Sequence, residues 1–340
     1  MRPWLFGAAV CFLVLAKASA GAQTSSSGTS NIPPKEISGK TLKEWIKDIR
    51  SSDPSVRQNA ISTVAMFGKA AGEAGPAVID ALRDRDASCR VYAVLALGNL
   101  VPVLRNQDAP KAVSALCISL NKDVQAVVRF HSANALGTFG PNAREAIPAL
   151  VTQLKDVASW EIRRAVIGAL ANIAIDTKYG PDSRAVKAIA GVLLGNPGPY
   201  GTGSYESSSQ VRLQAVIALG SMGRPINPLD WKLVLDALQA ASKDRDRGIV
   251  IWAHAAQMTL DKITEDGLSY IARNLKGGDV QAKVNAARAL AALGSGAKSR
   301  VPELIECLED SDPYVVATAI GALSDLEAAT TRIGVLKTFD

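Results

Sequence analysis

The chain is poor in the residues that usually carry chemistry: its 340 residues include two histidines, four cysteines and 5% aromatics. His131 and His254 stand far apart, and the surrounding "FHSAN" and "AHAAQ" hold no His–Glu pair, which argues against a metal centre built from imidazoles. Gly-x-Ser-x-Gly, a phosphate loop and a Cys–His arrangement are all missing, so no catalytic residue, cofactor site or metal site is assigned and a non-enzyme is expected. Scarce aromatics, with Ala, Leu and Val dominant, argue against sheets and for closely packed helices. A basic stripe interleaved with aromatics is also lacking. Acidic and basic residues alternate along the chain, so a net charge of +6 predicts no nucleic-acid partner.

Past the N-terminus no apolar run is long enough for a bilayer span of about 20 residues. The opening "MRPWLFGAAVCFLVLAKASAGAQ" has an apolar run from Trp4 to Ala16 and small residues at Ala18 and Ala20. It predicts a signal peptide over residues 1–20, cut after Ala20 or Ala22, and an exported protein, periplasmic or secreted, with no stable membrane insertion once the signal is gone. Without residues 1–20 the net charge is +4. Cys89, Cys117 and Cys307 then remain. They are expected as small apolar core residues, a Cys89–Cys117 pair being the alternative. Residues 21–38, "GAQTSSSGTSNIPPKEIS", have the composition of a flexible linker.

What the chain has in abundance is a repeat. Aligned on an Arg in "VRxxAxxALGxxG", eight copies are anchored at Arg57, Arg90, Arg129, Arg163, Arg212, Ala253, Lys283 and Val316, with spacings of 33, 39, 34, 49, 41, 30 and 33 residues. In each copy apolar or small residues fall one before the anchor and three, four, seven and ten after it, the stripe of an amphipathic helix. Asp53, Asp86, Asp279 and Asp312 stand four before their anchors, and Pro54 and Pro313 follow directly, which starts a helix there. A second helix precedes each of these, most plainly in "GPAVIDALRD" at 75–84, "IPALVTQLKD" at 147–156 and "VPELIECLED" at 301–310. Weaker relatives begin at Leu42, Val113, Val186, Trp231 and Leu268.

The "P-A-L-x-x-x-L-x-D" helix, the short Asp-containing turn and the "V-R-x-x-A-x-x-A-L-G-x-x-G" helix together resemble HEAT repeats of the PBS-lyase-like variety. The resemblance implies an all-α fold, an α-solenoid of about eight helix pairs wound as a right-handed superhelix, with the second helix of each pair lining the concave face. The array is expected over 39–329, interrupted by a loop insertion at 195–209 and followed by a tail at 330–340. Stacking also places each anchor Arg near an Asp of the next repeat, and a structural ladder is expected from Asp53–Arg57 and Asp86–Arg90.

With no catalytic constellation, the expected function is a scaffold or adaptor that binds another protein. Positions two, five and nine after the anchor lie off the core stripe, and Asn59, Tyr92, Asn99, His131, Asn134, Asn172, Gln214 and Asn285 form an amide-rich candidate contact row. Tyr200 and Tyr205 in the 195–209 insertion are candidates to anchor the partner. A lyase acting on a bound tetrapyrrole is the alternative that the family resemblance suggests. A HEAT-like DNA glycosylase is a third, disfavoured by export and by the alternating charge.

Overall fold

The computed structural model describes residues 34–155, 159–175, 179–195 and 206–337, with side chains to 327. The expected signal peptide, most of the linker, most of the 195–209 insertion, and Tyr200 and Tyr205 lie outside the described residues. A two-stranded antiparallel hairpin, β1 (Glu36–Ile37) and β2 (Lys40–Thr41), precedes the helices, its turn made by Ser38 and Gly39 at positive φ. Trp45 Nε1 donates to the carbonyl of Ile37 at 3.0 Å, so the ordered body includes residues assigned to the linker.

Sixteen α-helices follow among the described residues, in eight antiparallel pairs. They are α1 (Leu42–Asp48) and α2 (Pro54–Val64); α3 (Gly75–Ala81) and α4 (Ala87–Leu100); α5 (Ala109–Lys122) and α6 (Ala126–Thr138); α7 (Ile147–Gln153) and α8 (Trp160–Ala174). The second half comprises α9 (Ser183–Leu194) and α10 (Ser209–Ser221); α11 (Pro228–Ala241) and α12 (Arg247–Leu260); α13 (Glu265–Gly277) and α14 (Val280–Leu293); α15 (Val301–Glu306) and α16 (Pro313–Lys337). The last helix runs through the segment assigned to a tail. Local chemistry starts the even-numbered helices. The carboxylates of Asp53, Asp86, Asp246 and Asp279 accept first-turn amides, as Asp312 does ahead of α16, and Pro54 and Pro313 need no amide partner at all. Glycines at positive φ end α2, α6, α10 and α14: Gly68, Gly140, Gly223 and Gly294, each eleven residues past its anchor.

Counting from these caps corrects one sequence assignment. Every even helix carries its anchor four residues after the cap, and from Asp246 that position is Val250, three residues before Ala253. Ala253 is instead the core residue three past the anchor, fully buried like Ala60, Ala93, Ser132, Val166, Ala215, Ala286 and Ala319.

One hairpin buries only part of its apolar stripe, so the core is continuous from pair to pair. In α4 the residues at one before the anchor and three, seven and ten after it, Cys89, Ala93, Leu97 and Leu100, are all sealed from solvent. Each buried leucine is worth about 1.5–3 kcal/mol against exposure. Even helices pack on even helices more extensively than odd on odd, in part because several odd helices are only six or seven residues long. Glycine enforces that closeness where it is greatest. A Cβ at Gly220 would lie 2.9 Å from Ala256 Cβ, and one at Gly137 would lie 3.1 Å from Ala169 Cα.

Four of the anchor arginines and Lys283 form a ladder with an acid of the next repeat, as stacking predicts, but that acid is not the one four before the anchor. Asp53 and Asp86 cap their own helices. The rung acid is the one two residues ahead of the cap in the next repeat. Arg57 grips Asp84 at 2.6 and 2.7 Å, Arg90 grips Asp123 at 2.6 and 3.0 Å, and Arg212 grips Asp244 at 2.7 and 2.9 Å. Arg163 makes the same fork with Glu206, and Lys283 reaches Asp310 at 2.6 Å. The remaining guanidinium nitrogen closes on two carbonyls of the turn before its own helix: Ser51 and Ser52 for Arg57, Glu206 and Ser207 for Arg212. Each rung acid also accepts the cap residue's amide, as Asp84 does from Asp86 and Asp244 from Asp246. The ladder skips the junction of repeats six and seven, where Val250 replaces the Arg and Gly277 replaces the acid.

Candidate functional site

The fold brings most of the expected amide row onto one exposed stripe of the even helices. Asn59 on α2, Tyr92 and Asn99 on α4, and Asn134 on α6 are exposed, while His131, Asn172 and Gln214 are half-buried. Apolar residues that the polar pattern leaves out share this stripe: Met66 and Leu95 are 64% and 42% exposed. They occupy the same helical phase, nine and five after their anchors, and phase alone, without polarity as a filter, picks them out.

Asn285 is a correction. It is 5% exposed, and its Oδ1 accepts from Trp252 Nε1 at 3.2 Å, so it bridges repeats six and seven instead of facing a partner. Gly248 makes room for it, since a Cβ there would come within 2.5 Å of Asn285 Nδ2. The Trp–Asn contact stands at the junction of repeats six and seven, where Val250 and Gly277 leave no rung.

Electrostatically the stripe is blank. With the corrected register, positions two, five and nine past the anchor hold no Asp, Glu, Lys or Arg from repeat one to repeat six, ending at Trp252, Ala255 and Thr259. Burial pushes both histidines below the ordinary imidazole value, so His131 and His254 are neutral at pH 7. His131 sits edge-on to Phe130 at 5.1 Å, and His254 lies 4.5 Å from the ring of Tyr270. Among the described residues, no group of three His, Cys, Asp or Glu is placed to hold a metal ion.

A recess lies away from this stripe, on the edge where even helices lead into odd ones. It has a volume of about 430 Å³, with Arg144, Tyr179, Asp182, Arg184, Ile226 and Asp230 on its walls. Arg184 is already committed to Asp182 through two hydrogen bonds of 3.0 and 2.8 Å. Asp230 is buried, with Lys187 Nζ 3.8 Å away. No serine, cysteine or histidine there stands beside a base in the manner of an activated nucleophile.

Cys89, Cys117 and Cys307 are all free thiols. Cys89 and Cys307 are buried core residues, and Cys117 is partly buried.

No curated protein matches the chain. The solved structures that resemble it in part include the complex of CpcE and CpcF of phycocyanin lyase from Nostoc sp. PCC7120, at 20% identity over 89% of this chain and 100% of that one with a TM-score of 0.43, and an engineered protein, at 19% identity over 84% and 78% with a TM-score of 0.47. The chain is an all-α solenoid of stacked helix pairs in which HEAT repeats match residues 42–137 and a PBS lyase HEAT-like repeat matches 282–310.

Proposed function

We propose that the protein is a non-enzymatic, exported scaffold that holds another protein against the exposed stripe of the even helices. The supporting observation is the chargeless stripe: a chain with 21% charged residues keeps Asp, Glu, Lys and Arg off the fifteen of these positions that are not buried in six successive repeats, and sets amides, Tyr92, Met66 and Leu95 there instead. Such a surface suits an uncharged partner segment, because amides give directed hydrogen bonds and exposed apolar groups give area, with no desolvated charge to compensate. Export rests on the residue 1–20 pattern alone.

The test is affinity capture from the native compartment with quantitative mass spectrometry, comparing the wild-type chain with Leu95→Glu/Asn134→Lys. Both substitutions fall on exposed positions and are expected to leave the circular dichroism unchanged while at least one captured protein is depleted. An unchanged set of captured proteins would overturn the assignment of this face. Deleting residues 197–208 in parallel asks whether the insertion carrying Tyr200 and Tyr205 adds to binding. A lyase acting on a bound tetrapyrrole is favoured by one observation, the PBS lyase HEAT-like match at 282–310. Visible absorbance retained by the purified chain would support that reading over the scaffold.

A further inference from the structure

The turns joining odd to even helices lie side by side along one edge, because each rung ties one turn to the next. Arg57 runs from Ser51 and Ser52 to Asp84, and Arg90 from Asp84 and Arg85 to Asp123. In these turns the sequence alternates in sign, Arg-Asp-Arg-Asp at 83–86 and Lys-Asp-Arg-Asp-Arg at 243–247. Folding sorts the two signs. Asp84 and Asp244 turn inward to the rungs, with side chains 10% and 1% exposed, and Asp86 and Asp246 turn onto helix amides. Arg83, Arg85, Lys122, Lys243, Arg245 and Arg247 are left exposed, and among the described residues none of the six has a carboxylate within salt-bridge distance, although Arg85 donates to the carbonyl of Ser52 at 3.2 Å.

Helix stability accounts for half of them. Arg83, Lys122 and Lys243 follow or end odd helices, where the negative end of the helix dipole favours a cation. Arg85, Arg245 and Arg247 stand at the positive ends of α4 and α12, where a cation is unfavourable, so the helices give no reason for their charge. Repeat three adds an apolar tip: Val124 takes the position of Arg85 and Arg245, immediately after its rung acid, and is 83% exposed.

The geometry points to this edge as a surface that adsorbs peripherally to an anionic lipid bilayer, with the basic tips of turns two, three and six on headgroup phosphates and Val124 in the headgroup layer. Point charges spread over turns spaced about 10 Å apart suit a plane of phosphates, which imposes no register. A single-stranded nucleic acid calls for aromatic platforms, and among the described residues none of the exposed aromatics Tyr92, Tyr179 and Tyr314 lies in turns two, three or six. An exposed valine gains from a headgroup layer and gains little from a phosphodiester backbone. The inference is independent of the stripe reading, since no residue is shared.

The test is co-sedimentation of the full chain with vesicles of phosphatidylglycerol and phosphatidylcholine in equal parts, against vesicles of phosphatidylcholine alone. Binding to the anionic vesicles is expected to weaken with added salt and to fall about fivefold for each basic residue removed. Arg83→Glu/Arg85→Glu/Lys122→Glu should abolish it. Arg245→Gln/Arg247→Gln, which relieves a helix N-terminus, should lower it about 25-fold with no loss of thermal stability. The N-terminal segment is common to every variant, so differences report on the edge. Equal binding of wild type and both variants overturns the inference, as does tighter retention by poly-glutamate or duplex DNA than by the anionic vesicles.

Discussion

At the scale of the residue, the rungs dominate. Arg212 and Asp244 have side chains 1% exposed each, so removing one partner strands a buried charge. Arg212→Ala is expected to cost about 3–5 kcal/mol, and Arg212→Met/Asp244→Leu to recover most of it; urea midpoints of the two variants decide. Burial works against the charged form at Asp84, Asp123 and Glu206, but hydrogen bonds from Arg57, Arg90 and Arg163 and from cap amides outweigh it and hold these carboxyls below their ordinary values. A depressed pKa contributes stability that is complete above the unfolded value, near 4, and is lost as pH falls through the folded values. The melting temperature should therefore be flat above about pH 5 and drop steeply below about pH 4. A profile that declines toward alkaline pH instead would contradict the rung assignment. Burial, with the charge of Glu145 behind it, pushes the Cys117 thiol up to about 11. Alkylation of native protein at pH 8 should be slow at Cys117, and complete only after unfolding.

At the scale of the element, two glycines of the same motif position make opposite predictions. Gly98 has open surroundings, where an added methyl would find Ala135 and Thr138 nearest, at 3.9 Å, whereas Gly220 presses on Ala256. Gly98→Ala should stabilise by about 0.5–1 kcal/mol through helix propensity. Gly220→Ala should destabilise by about 1–3 kcal/mol, because two helix backbones must separate. Chemical denaturation of the two variants tests the pair, and equal effects would show that helix spacing is not set by these residues. The helices themselves were legible because their period is set by burial, which acts on residue type directly. Register in repeat six was not, since Trp252 and Ala253 mimic the apolar residue and anchor of other copies; the cap at Asp246, four before Val250, was the better guide. The rung acids escaped notice because Asp84 and Asp86 look alike in a sequence, and only the chain reversal between them gives one a neighbour and the other an amide. For the same reason the basic edge could not be seen in alternating signs, and Asn285 could not be told from the exposed amides that share its phase.

At the scale of the whole molecule, the array is uneven. Stability in such stacks is shared between neighbours, and the junction of repeats six and seven has Val250, Gly277 and the Trp252–Asn285 hydrogen bond where five others among the described residues have an ion-paired rung. Residues 265–327 should accordingly exchange amide hydrogens as a separate, less protected unit in urea. Val250→Arg/Gly277→Asp is expected to merge this unit with the rest, since a side chain at Gly277 meets open space. Unchanged exchange in that variant would place the weakness elsewhere. The fifth turn shows what the ladder tolerates. Arg163 meets Glu206 forty-three residues away at 2.7 and 2.8 Å, where Arg212 meets Asp244 after thirty-two at 2.7 and 2.9 Å. The acid is placed by the cap that follows it and is indifferent to whatever chain comes before. Extra sequence can therefore be spliced into such a turn, and a new appendage hung on this edge, without the adjoining repeats registering any change.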